Sequence, residues 1–235
     1  MNSTRRSAVR GWGGGTRIGL ILWLGGMAGA GWAQENTNAS MQASTNVPVQ
    51  QAATASAQTP PSDPAVAQLC NEGFREMAAE NSLEALRIFK EAASRDSKHP
   101  TVRFGLATAL IAVKQNREAL ELLLGLSRDT PNDYYVLNNL AWLYATAAEI
   151  DIRDGDAAVR YARAALVLAP MDHFVWNTMS EAYFVAGQYE RALRAAQEAL
   201  RLGEMRGVPE AKLTDYRKRV EKCRVVLKAT SILDE

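Results

Sequence analysis

The chain has 235 residues, of which 23% are charged and 47% are hydrophobic, and its formal net charge at pH 7 is +1. Four of the positive charges lie between Met1 and Ala33, a stretch that contains no acidic residue, so the rest of the chain carries a net charge of −3. A mildly acidic protein with no basic stripe is a poor candidate for binding nucleic acid or an anionic lipid surface.

The N-terminal stretch from Met1 to Ala33 has the order of parts that is typical of a secretory signal peptide. A leader with four arginines is followed by an apolar stretch that begins at Ile18, and small residues stand at the positions that a signal peptidase inspects. The pattern predicts cleavage after Ala33, with Ala30 as the second choice, and export to the bacterial periplasm. Residues 18–33 are fewer than the roughly 20 apolar residues of a spanning helix, but an inner-membrane anchor formed by this range stays open as the alternative.

Residues 34–64 are predicted to form a disordered linker. They are mostly Gln, Asn, Ala, Ser, Thr and Pro, with almost no large apolar residue. Such a stretch cannot bury enough apolar surface to offset the conformational entropy that ordering would cost. A linker of this kind would let the folded part sit away from an attachment point.

One alanine recurs along the rest of the chain at Ala85, Ala119, Ala158 and Ala192, and the middle interval is longer than the two equal intervals on either side of it. From Val66 onward, apolar residues recur at helical spacing, so this part should be all-α. A period of about 34 residues is typical of a solenoid of helical hairpins, in which each unit buries its apolar face against its neighbours. The longer interval indicates an insertion in the third unit.

The fourth unit carries the motif that identifies this repeat. Trp176, Met179, Ser180 and Tyr183 follow the pattern W-x2-L-G-x2-Y, and Ala192 occupies the alanine of the A-x3-F part that comes next. In these residues the chain resembles the tetratricopeptide-repeat (TPR) family, in an exported bacterial form. The resemblance implies an all-α fold: a right-handed superhelical solenoid of about four helical hairpins with a C-terminal capping helix.

The same resemblance implies the bounds of the repeats. The first repeat is divergent, since Glu72 and Glu76 stand at two positions that are normally apolar. A terminal helix with apolar residues on one face, among them Leu213 and Tyr216, would cover the end of the solenoid. The implied segments are repeat 1 at 66–99, repeat 2 at 100–133, repeat 3 with the insertion at 134–172, repeat 4 at 173–206 and the capping helix at 208–229.

The resemblance also implies a concave partner-binding groove, which in this family is lined by fixed positions of the first helix of each repeat. The lining would be aromatic and aliphatic, and its two asparagines can hydrogen-bond an extended peptide backbone. An exposed apolar groove usually marks an interaction site. Packing of some of these side chains against adjacent helices or the linker stays open as the alternative. The implied lining residues are Phe74, Met77, Phe104, Thr108, Ile111, Tyr135, Asn138, Trp142, Phe174, Asn177, Glu181 and Phe184.

No pattern in the sequence indicates a catalytic, cofactor or metal site. His99 and His173 fall in turns between repeats, where solvated side chains are expected, and no Cys or His cluster has zinc-ligand spacing. The insertion holds three aspartates without the spacing of a calcium loop, so capping of the next helix by Asp154 or Asp156 is expected instead. We therefore expect no catalytic residue, no cofactor and no metal.

The two cysteines, Cys70 and Cys223, lie in the first repeat and in the last helix. In a solenoid these ends stay several repeat widths apart, which exceeds the separation of roughly 6 Å between Cα atoms that a disulfide allows. Both cysteines are expected to be small buried hydrophobic residues.

These expectations favour a non-enzymatic protein–protein interaction module of the bacterial cell envelope, which binds a peptide or a partner protein in its groove. The alternative is a membrane-tethered structural or assembly factor of an envelope complex. Both predict a protein or peptide partner and no nucleic acid, with membrane contact only if the N-terminal helix is uncleaved. The sequence leaves the oligomeric state open.

Overall fold

The computed structural model describes residue 61 and residues 63–233. All of them belong to one compact unit, residues 37–235. The predicted signal peptide and nearly all of the predicted linker lie outside the described residues. Within the described part, the secondary structure consists of nine α-helices and no strand. The helices are α1 (Pro64–Ala78), α2 (Ser82–Arg95), α3 (Pro100–Ala112), α4 (Asn116–Asp129), α5 (Tyr134–Thr146), α6 (Gly155–Leu168), α7 (His173–Val185), α8 (Tyr189–Met205) and α9 (Glu210–Leu233).

The first eight helices pack as four successive hairpins, and each hairpin packs against the next one along the chain. Helix α9 follows the fourth hairpin and packs on α8. Helix α1 begins at Pro64, a residue that the prediction placed in the linker, and α9 continues to Leu233, beyond the predicted end of the capping helix at 229. No described helix is both long enough and apolar enough to cross a membrane.

Each of the four first helices begins at a side chain that caps an exposed backbone N–H group. The carboxylates of Asp63, Asp133 and Asp172 each accept from the backbone N–H two residues further on, at 2.8–3.0 Å. The ring of His99 does the same for α3 at 3.2 Å. Such caps satisfy donors that have no partner inside the helix. Asp154 caps α6 by accepting from the Ala157 N–H at 2.9 Å, so the predicted capping role is confirmed for Asp154.

The turns inside three hairpins share one backbone conformation. Glu80, Lys114 and Gly187 have φ angles of 64°, 63° and 73° and occupy equivalent places after α1, α3 and α7. A left-handed residue after the last helical turn is a common way to end a helix. The third hairpin replaces this turn with the inserted loop at 147–154, which is held by an Asn116–Glu149 hydrogen bond of 2.8 Å.

The recurring alanines mark where the helices pack most closely. Ala85, Ala119, Ala158 and Ala192 are each 0% exposed. A small side chain at these points lets paired helices approach, while larger residues fill the spaces between them. The alanine spacing therefore predicts correctly which residues are buried where the paired helices meet.

Candidate functional site

The twelve predicted groove residues, which we call the inner row, lie on the first helices α1, α3, α5 and α7. Eleven of them are buried, with exposed fractions from 1% at Trp142 to 8% at Thr108. Phe184, at the end of α7, is half-buried. The expectation that these side chains form an exposed apolar surface is therefore wrong for the described structure. Their role in binding a partner stays a prediction.

Aromatic side chains of the inner row contact one another from repeat to repeat. The ring centroid of Phe104 lies 6.4 Å from that of Phe74 and 6.3 Å from that of Tyr135. Phe74 also packs edge-to-face on Phe89 of α2 at 5.0 Å. Aromatic pairs in this distance range are attractive beyond the area that they bury. These contacts give a physical reason for the burial of the row across the first three repeats.

Thr108 is a polar member of the inner row whose hydroxyl both donates and accepts a hydrogen bond. It donates to the Phe104 carbonyl at 2.8 Å and accepts from the Asn139 side-chain amide at 3.2 Å. The second bond joins α3 to α5. Thr108 thus acts as a structural link between two repeats.

Apart from Glu181 Oε2, which forms an ion pair with Arg219, three other polar atoms of the inner row are buried without a hydrogen bond. They are Asn138 Oδ1 and Trp142 Nε1 on α5 and Asn177 Nδ2 on α7, and none has a partner among the residues that the structure describes. Their residues are 6%, 1% and 2% exposed. A buried polar group without a partner costs about 1–3 kcal/mol. One hydrogen-bond acceptor and two donors on neighbouring helices are therefore available to a ligand that carries the complementary donor and acceptors.

The C-terminal end of the inner row is covered by α9. Glu181 forms an ion pair with Arg219, and the two side chains are 9% and 5% exposed. Lys222 lies 4.0 Å from the other Glu181 carboxylate oxygen and 4.2 Å from the centroid of the Phe184 ring. Burial lowers the pKa of Lys222, while the Glu181 carboxylate opposes that shift. The last turns of α7 are thus held to α9 by charge as well as by apolar contact.

His173 lies at the same interface, and the expectation of a solvated side chain is wrong. It is 7% exposed, and its Nδ1 atom lies 2.7 Å from the Tyr216 hydroxyl of α9. Burial lowers the pKa of His173 to about 4, so at neutral pH the ring is uncharged and Nδ1 can accept from the hydroxyl. No group of metal-ligating side chains occurs in the described part of the chain.

The α9 residues that contact α7 are the part of this region that sequence reasoning missed. Tyr216, Arg219 and Lys222 follow one another at steps of three residues, which places them on one side of the helix. Arg219 and Lys222 lie on the side of α9 that also carries the buried residues Val220 and Cys223. Two cations on such a side were a signal that this face binds a carboxylate. Cys70 and Cys223 are both buried and unpaired, as expected.

A sequence model described as "Tetratricopeptide repeat" matches residues 76–143 of the chain. No curated protein sequence matches it. Among solved structures, a thermophilic TPR protein of Thermus thermophilus is 18% identical, with a TM-score of 0.53 over 72% of this chain and 100% of that one. MamA of Desulfovibrio magneticus RS-1 is also 18% identical, with a TM-score of 0.48 over 71% of this chain and 97% of that one. The first likeness, together with the nine described helices, confirms the predicted all-α superhelical fold.

Proposed function

Because residues 76–143 match a tetratricopeptide-repeat model and the described helices have the fold of such proteins, we propose that the chain is a non-enzymatic scaffold that binds an extended segment of a partner protein along the inner row. In this fold, function depends on the surfaces that the helical hairpins present to a partner. Because eleven of the twelve inner-row residues are buried, the segment displaces inner-row side chains as it binds.

The observation that carries this proposal is the set of three atoms on α5 and α7 that have no partner among the described residues. An extended backbone presents N–H and C=O groups in alternation. Its N–H can donate to Asn138 Oδ1, and its carbonyls can accept from Trp142 Nε1 and Asn177 Nδ2. Each hydrogen bond formed would remove a desolvation penalty that the unbound protein carries. Part of the binding free energy would therefore come from three atoms that form no hydrogen bond with the described residues of the unbound protein.

Replacement of Asn177 by leucine should separate stability from binding. Asn177→Leu removes an unpartnered buried donor, so we expect the free energy of unfolding to rise by about 1 kcal/mol. Peptides selected from a phage-displayed library on the full wild-type chain should bind the variant about tenfold more weakly, a change of about 1.4 kcal/mol. Equilibrium urea unfolding and isothermal titration calorimetry measure the two effects.

Asn116→Leu is the matched control, because Asn116 is also a buried asparagine but lies outside the inner row. Its side-chain amide donates to Glu149 at 2.8 Å. The same replacement should therefore lower the free energy of unfolding by about 1 kcal/mol and leave peptide affinity unchanged. If Asn177→Leu binds the selected peptides as tightly as the wild type does, the inner row is not the binding site.

We place this scaffold in the bacterial cell envelope, on the strength of the signal-peptide pattern between Met1 and Ala33. Mass spectrometry of the protein purified from its native cells should then find a mature chain that starts at Gln34. An intact N-terminus in the membrane fraction would instead support the alternative, a structural or assembly factor tethered by residues 18–33.

A further inference from the structure

The outer side of α6 differs in composition from the outer sides of the other second helices. Residues 157–171 include no acidic residue. On the solvent side of this stretch stand two arginines followed by three apolar residues. We call these five residues the α6 face, and they are Arg160, Arg163, Val167, Leu168 and Met171.

The apolar residues of the α6 face are strongly exposed. Val167 is 82% exposed, Leu168 42% and Met171 49%. Arg160, Arg163 and Val167 are three or four residues apart, which places them on one side of the helix. The α6 face is therefore a strip with a basic half and an apolar half.

The two arginines of this strip lie in a stretch, residues 157–171, that offers them no acidic side chain. Neither Arg160 nor Arg163 forms an ion pair with any residue that the structure describes, although both are exposed. On α2, by contrast, Arg87 pairs with Glu84 at 2.8 Å. On α8, Arg201 pairs with Glu198 at 2.6 Å. These pairs neutralise part of the charge on α2 and α8. Among the described residues, Arg160 and Arg163 have no acidic partner, and the same holds for Arg128 on α4 and Arg194 on α8.

The turn that contains Met171 is held in place by two hydrogen bonds to residues of α7. Trp176 of α7 donates from Nε1 to the Pro170 carbonyl at 2.8 Å. Asp172 caps α7 by accepting from the Phe174 N–H at 2.8 Å. A docked partner would thus meet an apolar surface that is already ordered, so little further conformational entropy is lost on binding.

We propose that the α6 face docks an acidic amphipathic segment of a partner protein. The apolar side of the segment covers Val167, Leu168 and Met171, and its carboxylates pair with Arg160 and Arg163. Charge complementarity of this kind selects the partner and speeds association. Asp156, an exposed acidic residue one turn before Arg160 on the same helix, opposes binding to a broad anionic surface such as a bilayer.

The test uses the full chain and two designed amphipathic helices that share a leucine face, one with glutamate and one with lysine on the opposite face. Fluorescence anisotropy should show that the glutamate peptide binds the wild type at least about tenfold more tightly than the lysine peptide does. Charge reversal in the double variant Arg160→Glu, Arg163→Glu should invert that preference. Val167→Ser should weaken binding of the glutamate peptide.

Arg87→Glu on α2 is the control and should leave both affinities unchanged. The proposal is overturned if the two peptides bind the wild type equally well. It is also overturned if charge reversal on α6 changes the two peptide affinities no more than the control does. A third contrary outcome is that the wild type binds vesicles of phosphatidylcholine with phosphatidylglycerol and neither peptide. The surface is separate from the inner row, so this result does not depend on the function proposed above.

Discussion

Replacement of Phe89 by alanine should lower the free energy of unfolding by about 3–5 kcal/mol. The Phe89 ring is 0% exposed and lies between the first helices of two repeats. A Cβ atom added at Gly73 of α1 would come within 2.8 Å of this ring, and one added at Gly105 of α3 would overlap it. The ring thus fills a space that two glycines leave open, and its removal leaves a cavity that the backbone on either side cannot readily close.

Equilibrium urea unfolding of the full chain, followed by circular dichroism, measures this loss. Leu83→Ala is the control, because Leu83 lies in the same helix and is 77% exposed, and we expect a change within about 0.5 kcal/mol. A loss below about 1 kcal/mol for Phe89→Ala would mean that the divergent first repeat contributes little to the cooperative core.

The helical repeat could be predicted because it depends on short-range patterns. The alanine spacing from Ala85 to Ala192 reports a packing constraint that recurs in every hairpin, and each of these alanines is buried. The cap at Asp154 could be predicted for the same reason, because it bonds to a backbone N–H only three residues away. Such features need no knowledge of how distant helices meet.

The environment of the inner row could not be predicted, because it depends on contacts between residues far apart in the chain. His173 is buried through a contact with Tyr216, and Glu181 meets α9 through Arg219. The motif of a single repeat says nothing about these partners, since the capping helix is not part of the repeat. Family positions identify which side chains face inward, and the neighbouring elements decide whether water reaches them.

Replacement of Arg219 by alanine should also destabilise the protein strongly, by about 3–5 kcal/mol. Both side chains of the Glu181–Arg219 pair are nearly inaccessible to water, at 9% and 5% exposed. Loss of the guanidinium leaves the Glu181 carboxylate buried, with Lys222 at 4.0 Å as its neighbouring cation. The control is Arg201→Ala, which removes the cation that pairs with Glu198. The Arg201 side chain is 55% exposed. Because water screens that pair, its loss should change the free energy of unfolding far less.

The double variant Glu181→Leu, Arg219→Leu shows whether the Arg219 effect comes from the uncompensated charge. Removal of both charges leaves no buried carboxylate at this site, so urea unfolding should show the double variant recovering most of the stability that Arg219→Ala loses. A double variant as unstable as the single one would mean that the arginine stem, and not its charge, holds α9 in place. Recovery would show instead that the uncompensated Glu181 charge causes the loss. The ion pair would then determine which helix can cover the end of the inner row, because a helix with only apolar residues would leave Glu181 unpaired.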